Sequence, residues 1–245
     1  MFSIARINPS IVRVAEHKAC YLSRHLTSLV RSIKQTTMTQ VVFKSATPNA
    51  EEIIVELARV SNPDNATNMV TAPKLLRYLI EHKHWSPFEM AHMTLTIHTE
   101  RDIAAQILRH RSFSFQEYST RYAKAQPFTI PDYRRQDLKN RQNSIDDIDP
   151  VVKVNLKNKT TTVLLAVTQL YEELLEAGVA KECARRILPL CTQTTMHMSG
   201  TLRSWIHYIQ IRTDISTQLE HRRIAEQCKE IFCNQFPIIG GAAFN

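Results

Sequence analysis

Between His92 and His98 the chain alternates, with Met93, Leu95 and Ile97 apolar and His92, Thr94, Thr96 and His98 polar. That period predicts a strand with one buried face. Thr39-Gln40-Val41-Val42-Phe43 reads as the opening strand of a domain. Helices are predicted where the period lengthens. From Pro48 to about Val60 apolar positions recur every three to four residues behind an acidic start, until the Ser61-Asn62-Pro63-Asp64 turn signal stops them. A second helix follows Pro73 through Leu75, Leu76, Leu79 and Ile80. Thr99-Glu100-Arg101-Asp102 reads as an N-cap with an acid in the first turn, and the pairs Ile103/Ile107 and Ala104/Leu108 carry that helix to about Arg109.

Residues 134–149 are polar and charged without an apolar period, which predicts a long exposed excursion, a place for a mobile loop over a site. Beyond Pro150 the pattern is helical to the end. One helix runs to Gly178, a short one from Ala184 to Leu188, one from about Ser199 to Arg212, and one from Ile215 to Phe236. Met196, His197 and Met198 read as packing residues or the start of a helix. The expected class is α+β: a strand-containing core flanked by helices, with a mostly helical C-terminal part.

Composition narrows this picture. With 245 residues and 43% hydrophobic content the chain can bury one real core. The excess of Lys and Arg, 31 against 23 Asp and Glu, favours an anionic partner. Only Gly178, Gly200, Gly240 and Gly241 are glycines, so neither a Rossmann G-x-G-x-x-G nor a P-loop can be written, and phosphate must be held by side chains and helix ends. The 5 cysteines form no C-x-x-C pair, which suggests neither a disulfide framework nor a zinc ribbon. Arg, Lys or His interrupts every apolar stretch well short of the roughly 18 residues a bilayer span needs, so no membrane association is expected.

The first 37 residues carry Arg6, Arg13, Lys18, Arg24, Arg31 and Lys34 against the single acid Glu16, interleaved with serines. They read either as an organellar transit peptide or as an upstream extension ahead of a working start at Met38. The domain is then expected over 38–245, in the cytoplasm, or in an organelle if residues 1–37 act as a transit peptide.

The densest polar segment follows the third helix: Arg109-His110-Arg111-Ser112-Phe113-Ser114-Phe115-Gln116-Glu117-Tyr118-Ser119-Thr120-Arg121-Tyr122. So many charges are costly to bury unless they meet a ligand or one another, and arginine's planar fork of donors suits phosphate and carbonyl oxygens. The spacing alone leaves open a solvated basic loop packed by Phe113, Phe115 and Tyr122.

This segment resembles the signature of the flavin-dependent thymidylate synthases, R-H-R-x-x-S-x-N-E-x-S-x-R-Y, with Gln116 where asparagine is usual. Ala58-Arg59-Val60-Ser61, His82 to Glu89, Ala184 to Pro189, and Leu202-Arg203-Ser204 through Arg212 are similar to the family's other segments in order and spacing. The resemblance implies methylation of dUMP at C5, with carbon from methylenetetrahydrofolate, hydride from reduced FAD and NADPH as reductant. It also implies a homotetramer whose flavin sites are shared between subunits.

Carried over by position, the nucleotide would meet Gln106, Arg109, Glu117, Ser119, Arg121, Arg185 and Arg212, with Arg212 catalytic. Gln106 and Arg109 share a helix face. Arg212 would stabilise the anion left when the pyrimidine loses its N3 proton, where otherwise it would close a helix C-terminus. For FAD the matching positions are Ser86, Arg109, His110, Arg111, Glu117, Thr201, Arg203 and His207, with Ser61, His84 and Glu89 nearby. Thr201 and His207 stand where other members carry asparagine. No cysteine occupies a position the family uses as a nucleophile, and Ser119 lacks an adjacent base, so it is assigned to binding. His82, His84, Glu89 and His92 fit no standard metal spacing, and no metal is expected. Two rivals remain: a single-stranded nucleic-acid-binding module stacking bases on Phe113, Phe115 and Tyr118, and a flavoprotein reductase on the same fold.

Overall fold

A computed structural model describes residues 39–244. The reading of residues 1–37 as an extension lies outside the described residues. Four strands form an antiparallel sheet: β1 (Gln40–Ala46), β2 (His92–Glu100), β3 (Ser114–Glu117) and β6 (Gln193–Thr201), in the order β1-β2-β6-β3. The helices are α1 (Ala50–Ala58), α2 (Ala72–Glu81), α3 (Arg101–Ile107), α4 (Pro150–Glu176), α5 (Lys181–Ala184), α6 (Leu202–Arg212), α7 (Leu219–Gln235) and α8 (Pro237–Phe244). The class is α+β, as expected.

The alternation in β2 does what its period predicts: Met93, Leu95 and Ile97 are fully buried, and Thr94, Thr96 and His98 face the other way. β6 sits beside it with Leu95 opposite Met198 and Ile97 opposite Met196. The inner face is covered by α6 through Leu202, Trp205, Ile206 and Ile209, backed by Ile224, Ala225, Cys228 and Phe232 of α7. On the outer face polar side chains pair across strands: Thr94 with Ser199 at 2.8 Å, Thr96 with His197 at 2.9 Å and His98 with Thr195 at 3.0 Å.

Three sequence expectations are corrected. Residues 193–201 form the central strand β6, so the helix expected from Ser199 begins only at Leu202, and Met196 to Met198 lie mid-strand. Their inward positions read Thr194, Met196, Met198 and Gly200, a polar residue, two unbranched methionines and a glycine in place of the large β-branched or aromatic residues that mark a strand's buried face. Thr99 is no N-cap: it ends the buried face of β2, and Glu100 stands at the cap without a side-chain hydrogen bond to the helix. Residues 134–149 are the long, largely exposed excursion expected, but they are not a loop without regular structure. They fold into a hairpin of β4 (Arg135–Gln136) and β5 (Ser144–Ile145), closed by an Arg135–Asp147 ion pair and by Arg134, which pairs with Glu220 of α7 at 2.7 Å.

Two local devices place the site. Lys83, with φ 58°, ends α2 in the left-handed region, where Lys83 N–H bonds Ile80 O at 3.1 Å and His84 N–H bonds Leu79 O at 2.8 Å. This Schellman closure turns the chain into the short 3-10 turn Ser86–Glu89. At the far end of β6, Gly200 leaves room for the Phe113 ring, whose Cδ1 lies 2.5 Å from where a Cβ would stand. That close approach seats the loop after α3 on the core.

Candidate functional site

Phe113 anchors the signature loop. It is buried edge-on against Trp205, ring centroids 4.9 Å apart, while the turn behind it closes through His110 N–H to Ile107 O at 3.0 Å. Its neighbours are left outside: Arg109 and Arg111 are exposed, and among the described residues neither side chain has a hydrogen-bond or ion-pair partner. Two guanidinium groups held apart from any acid are a ready site for anions.

His110 lies half-buried, edge-on to Tyr208 with centroids 4.9 Å apart. Its Nε2 accepts a hydrogen bond from Nε of Arg212, the last residue of α6, at 2.9 Å. A ring accepting there carries its proton on Nδ1. Burial first, and then the charges of Arg212 and His207, push the His110 pKa down to about 4, so the ring is neutral near pH 7. A neutral imidazole can fix the guanidinium plane without competing for its charge.

Behind this pair a polar row runs from the surface into the core. Gln106 Nε2 donates to Gln218 Oε1 at 2.8 Å, Gln106 Oε1 faces His221 Nδ1 at 3.4 Å, and His221 Nε2 faces the Tyr208 hydroxyl at 3.1 Å. His221 and Tyr208 are fully buried. Gln106 and Arg212 are thus brought to one region, with His110 and Tyr208 between them.

Along α6 runs a second group. Thr201 caps the helix by accepting from Ser204 N–H at 3.2 Å, and Arg203 pairs with Glu89 at 2.5 Å, drawing the turn that carries the exposed Ser86 against the helix. Arg203 lowers the Glu89 pKa through that hydrogen bond. His207, one turn beyond Arg203, is exposed and close enough to act on the charge of His110. The hydroxyl of Thr201 is therefore already engaged by the helix end, whereas His207 is open.

The remaining expected residues lie at the end of β3 and beyond it. Glu117, facing inward opposite Met196, accepts from the Thr194 hydroxyl at 3.0 Å, and Ser119 Oγ accepts weakly from Arg121 N–H at 3.4 Å. Arg121 pairs with Glu182 of α5 at 3.2 Å, both about half exposed, a contact worth little in water. Arg185, in the turn after α5, has no side-chain partner among the described residues. No hydrogen bond or ion pair among the described residues joins Glu117, Ser119, Arg121 or Arg185 to the Arg212 cluster.

The site is also open. Arg109, His110, Arg111, Arg203, His207 and Arg212 border neither the cleft of about 1250 Å³ between α7 and the Thr129–Asp132 segment, which Gln218 lines, nor the one of about 470 Å³ beside Arg59, which Ser61 lines. Arg59, in one of the segments of family resemblance, is structural: it binds Asn65 O, Asn68 O and Thr71 Oγ1 at 2.6–2.8 Å. His82 stacks on Tyr78, and no group of three or more His, Cys, Asp or Glu among the described residues is placed to hold a metal.

The sequence reading missed Tyr208, Gln218 and His221. One signal was available: His221 stands one turn before Ile224 and Ala225 on the apolar stripe of α7, where a histidine must find partners.

A pH dependence follows. Burial first, and then Arg212 and His110, depress the His221 pKa to about 3, and His110 is depressed to about 4, both from 6.5. In this window the unfolded chain binds protons that the folded one refuses, so their stabilisation is fully present above about 6.5 and is lost as pH falls toward 4. Urea midpoints should fall from pH 7 to 5, less steeply in His221→Asn; equal slopes would contradict this account of the pair.

The thymidylate synthase complementing protein family model matches residues 42–238. A probable flavin-dependent thymidylate synthase of Paramecium bursaria Chlorella virus 1 is 50% identical over 212 residues, 86% of this chain and 98% of the relative. The flavin-dependent thymidylate synthase of Synechocystis is 48% identical over 206 residues, 84% and 95% of the two chains. In structure, a UMP/dUMP methylase from Streptomyces cacaoi, solved with 5-Br dUMP, superposes with a TM-score of 0.75 at 25% identity, covering 83% of this chain and 93% of that one.

Proposed function

The chain belongs to the thymidylate synthase complementing protein family, and from that membership we propose the reaction and the role of each site residue. It is a flavin-dependent thymidylate synthase, a methyltransferase that converts dUMP to dTMP. Methylenetetrahydrofolate is the carbon donor, FAD the flavin and NADPH the reductant. The flavin, when bound, supplies the hydride.

The observation that carries the reading is the Arg212–His110 pair. Loss of the N3 proton would leave negative charge on the pyrimidine, and a guanidinium already fixed in orientation stabilises that charge without reorganising. Arg212 cannot release its own proton near neutral pH, so it acts by charge and hydrogen bonding alone. Gln106, in the last turn of α3, and Arg109, two residues beyond its end, complete the nucleotide's surroundings from one side. Glu117, Ser119, Arg121 and Arg185 are assigned to the same nucleotide, with Arg121 and Arg185 on phosphate; Arg121 then exchanges Glu182 for the ligand.

The donor set fits FAD. Unpartnered Arg109 and Arg111 suit its diphosphate, and Ser86, Arg203 and His207 line one side of α6 beside them, with His110, Glu117 and Thr201 as further contacts. That the chain assembles as a homotetramer, with sites shared between subunits, is supported by two features. The site is open within one chain, and α4 leaves Val151, Val152, Val154, Leu156, Val163 and Leu170 exposed along its length. The domain is taken as 38–245, with 1–37 as an extension; the reaction is placed in the cytoplasm, or in an organelle if that extension is a transit peptide. No helix among the described residues is long and apolar enough to cross a membrane.

A base-stacking nucleic-acid module is not favoured, because Phe113 is buried and the Tyr118 hydroxyl is tied to Lys124 O at 2.7 Å. The test is product formation: purified protein with FAD, NADPH and methylenetetrahydrofolate should convert dUMP to dTMP, and omission of FAD should stop it. Conversion unaffected by flavin would refute the reading.

A further inference from the structure

The polar row behind the site has a direction, and one end sets it. The Glu220 carboxylate only accepts. Arg134 donates to it at 2.9 Å, and Gln218 Nε2 lies 3.1 Å from it, so the amino end of Gln218 must face Glu220. Gln218 then turns its oxygen to Gln106, 2.8 Å away, which obliges Gln106 to donate. The Gln106 oxygen is left for His221 Nδ1 at 3.4 Å, so that nitrogen carries the proton. The bare Nε2 of His221 accepts from the Tyr208 hydroxyl at 3.1 Å. Each link is forced by the one before it.

The row also has an inside and an outside. His221 and Tyr208 are fully buried, while Gln218 is exposed. The Gln106 oxygen therefore points to the interior and its amino group outward. One N–H of that group is used by Gln218; the other has no partner among the described residues.

We propose that His221 is a positioning residue: by donating from Nδ1 to Gln106 Oε1 it holds the Gln106 amide with its amino group outward, so that Gln106 recognises a pyrimidine carbonyl oxygen rather than N3–H. This rests on the assignment of Gln106 to the nucleotide made above. An amide free to flip would present donor and acceptor alternately and would bind a carbonyl less well. Burial keeps His221 neutral, which the arrangement requires, since a second ring proton on Nε2 would reverse the bond to Tyr208.

The test uses the full-length, FAD-loaded protein with dUMP varied in steady state, and flavin content and melting temperature followed in parallel. His221→Leu removes the donor, His221→Asn retains one near Nδ1, and Gln218→Leu removes the outer acceptor at an exposed position. His221→Leu is expected to raise the dUMP KM about tenfold with a smaller change in kcat, and Gln218→Leu to raise it about threefold. His221→Asn should stay within about threefold of wild type. Equal KM values for the Leu and Asn variants would overturn the proposal, as would an unchanged Gln218→Leu if His221→Leu does not fold. Absence of dUMP turnover in the wild-type protein would instead remove the synthase reading on which the proposal stands.

Discussion

Replacing Arg212 by alanine is expected to lower kcat by about a hundredfold to a thousandfold, the loss typical when one fixed donor to a developing charge is removed. The side chain is only half-buried at the end of α6, and among the described residues its one side-chain bond is to His110, so the fold should survive. Melting temperature and flavin content should stay close to wild type while turnover collapses. Arg212→Lys retains the charge but not the planar fork, and should recover only a small part of the rate. If alanine reduced kcat and flavin content together in proportion, Arg212 would be holding the structure and not the pyrimidine. A change in dUMP KM alone would demote it to uniform binding.

Trp205→Ala is expected to cost about 3–5 kcal/mol, the range for deleting a buried aromatic side chain. Trp205 is fully enclosed between β2 and the signature loop, and its indole N–H donates to Met93 O at 2.9 Å across the core. Alanine leaves that carbonyl without its partner and removes the surface on which Phe113 rests. The melting temperature should fall by on the order of 10 °C, and flavin affinity should fall with it because the Arg109 to Arg111 loop loses its anchor. Trp205→Phe should recover part of the packing but not the hydrogen bond. A melting temperature within a degree or two of wild type would show that the loop is seated by something else.

The sheet and site were unevenly legible in the sequence. β2 could be read because its inward positions are large aliphatics and its outward ones hydroxyls and histidines, a contrast that survives any context. β6 pairs with β2 along its whole length yet could not, since Gly200 faces the core for want of space beside Phe113, and Thr194 is buried because its hydroxyl reaches Glu117. Both are tertiary reasons. α4 was legible from its pattern beyond Pro150, which stands in the first turn; the structure adds the cap, Asp149, which accepts from Val151 and Val152 N–H. For the hairpin at 134–149, a run without apolar period gave no sign of the charge pairs that hold it.

In the site, the arginines could be found because a cluster of unpaired cations is unusual in any chain. What the sequence could not supply was which of them are paired. Arg121 meets Glu182, and Arg203 meets Glu89, from segments distant in sequence, whereas Arg109 and Arg111 meet nothing among the described residues. The dependence of Arg212 on His110, and of Gln106 on His221, arises only where α3, α6 and α7 converge.

The most direct measurement of the central claim is a difference absorbance spectrum of the FAD-loaded protein as dUMP is added. With flavin and pyrimidine in adjoining parts of one site around His110 and Arg212, as proposed, saturable dUMP binding should shift the flavin bands, and the shift should be absent for a nucleoside lacking the phosphate at the same concentration. Protein that is folded and flavin-loaded but whose spectrum does not respond to saturating dUMP would contradict it.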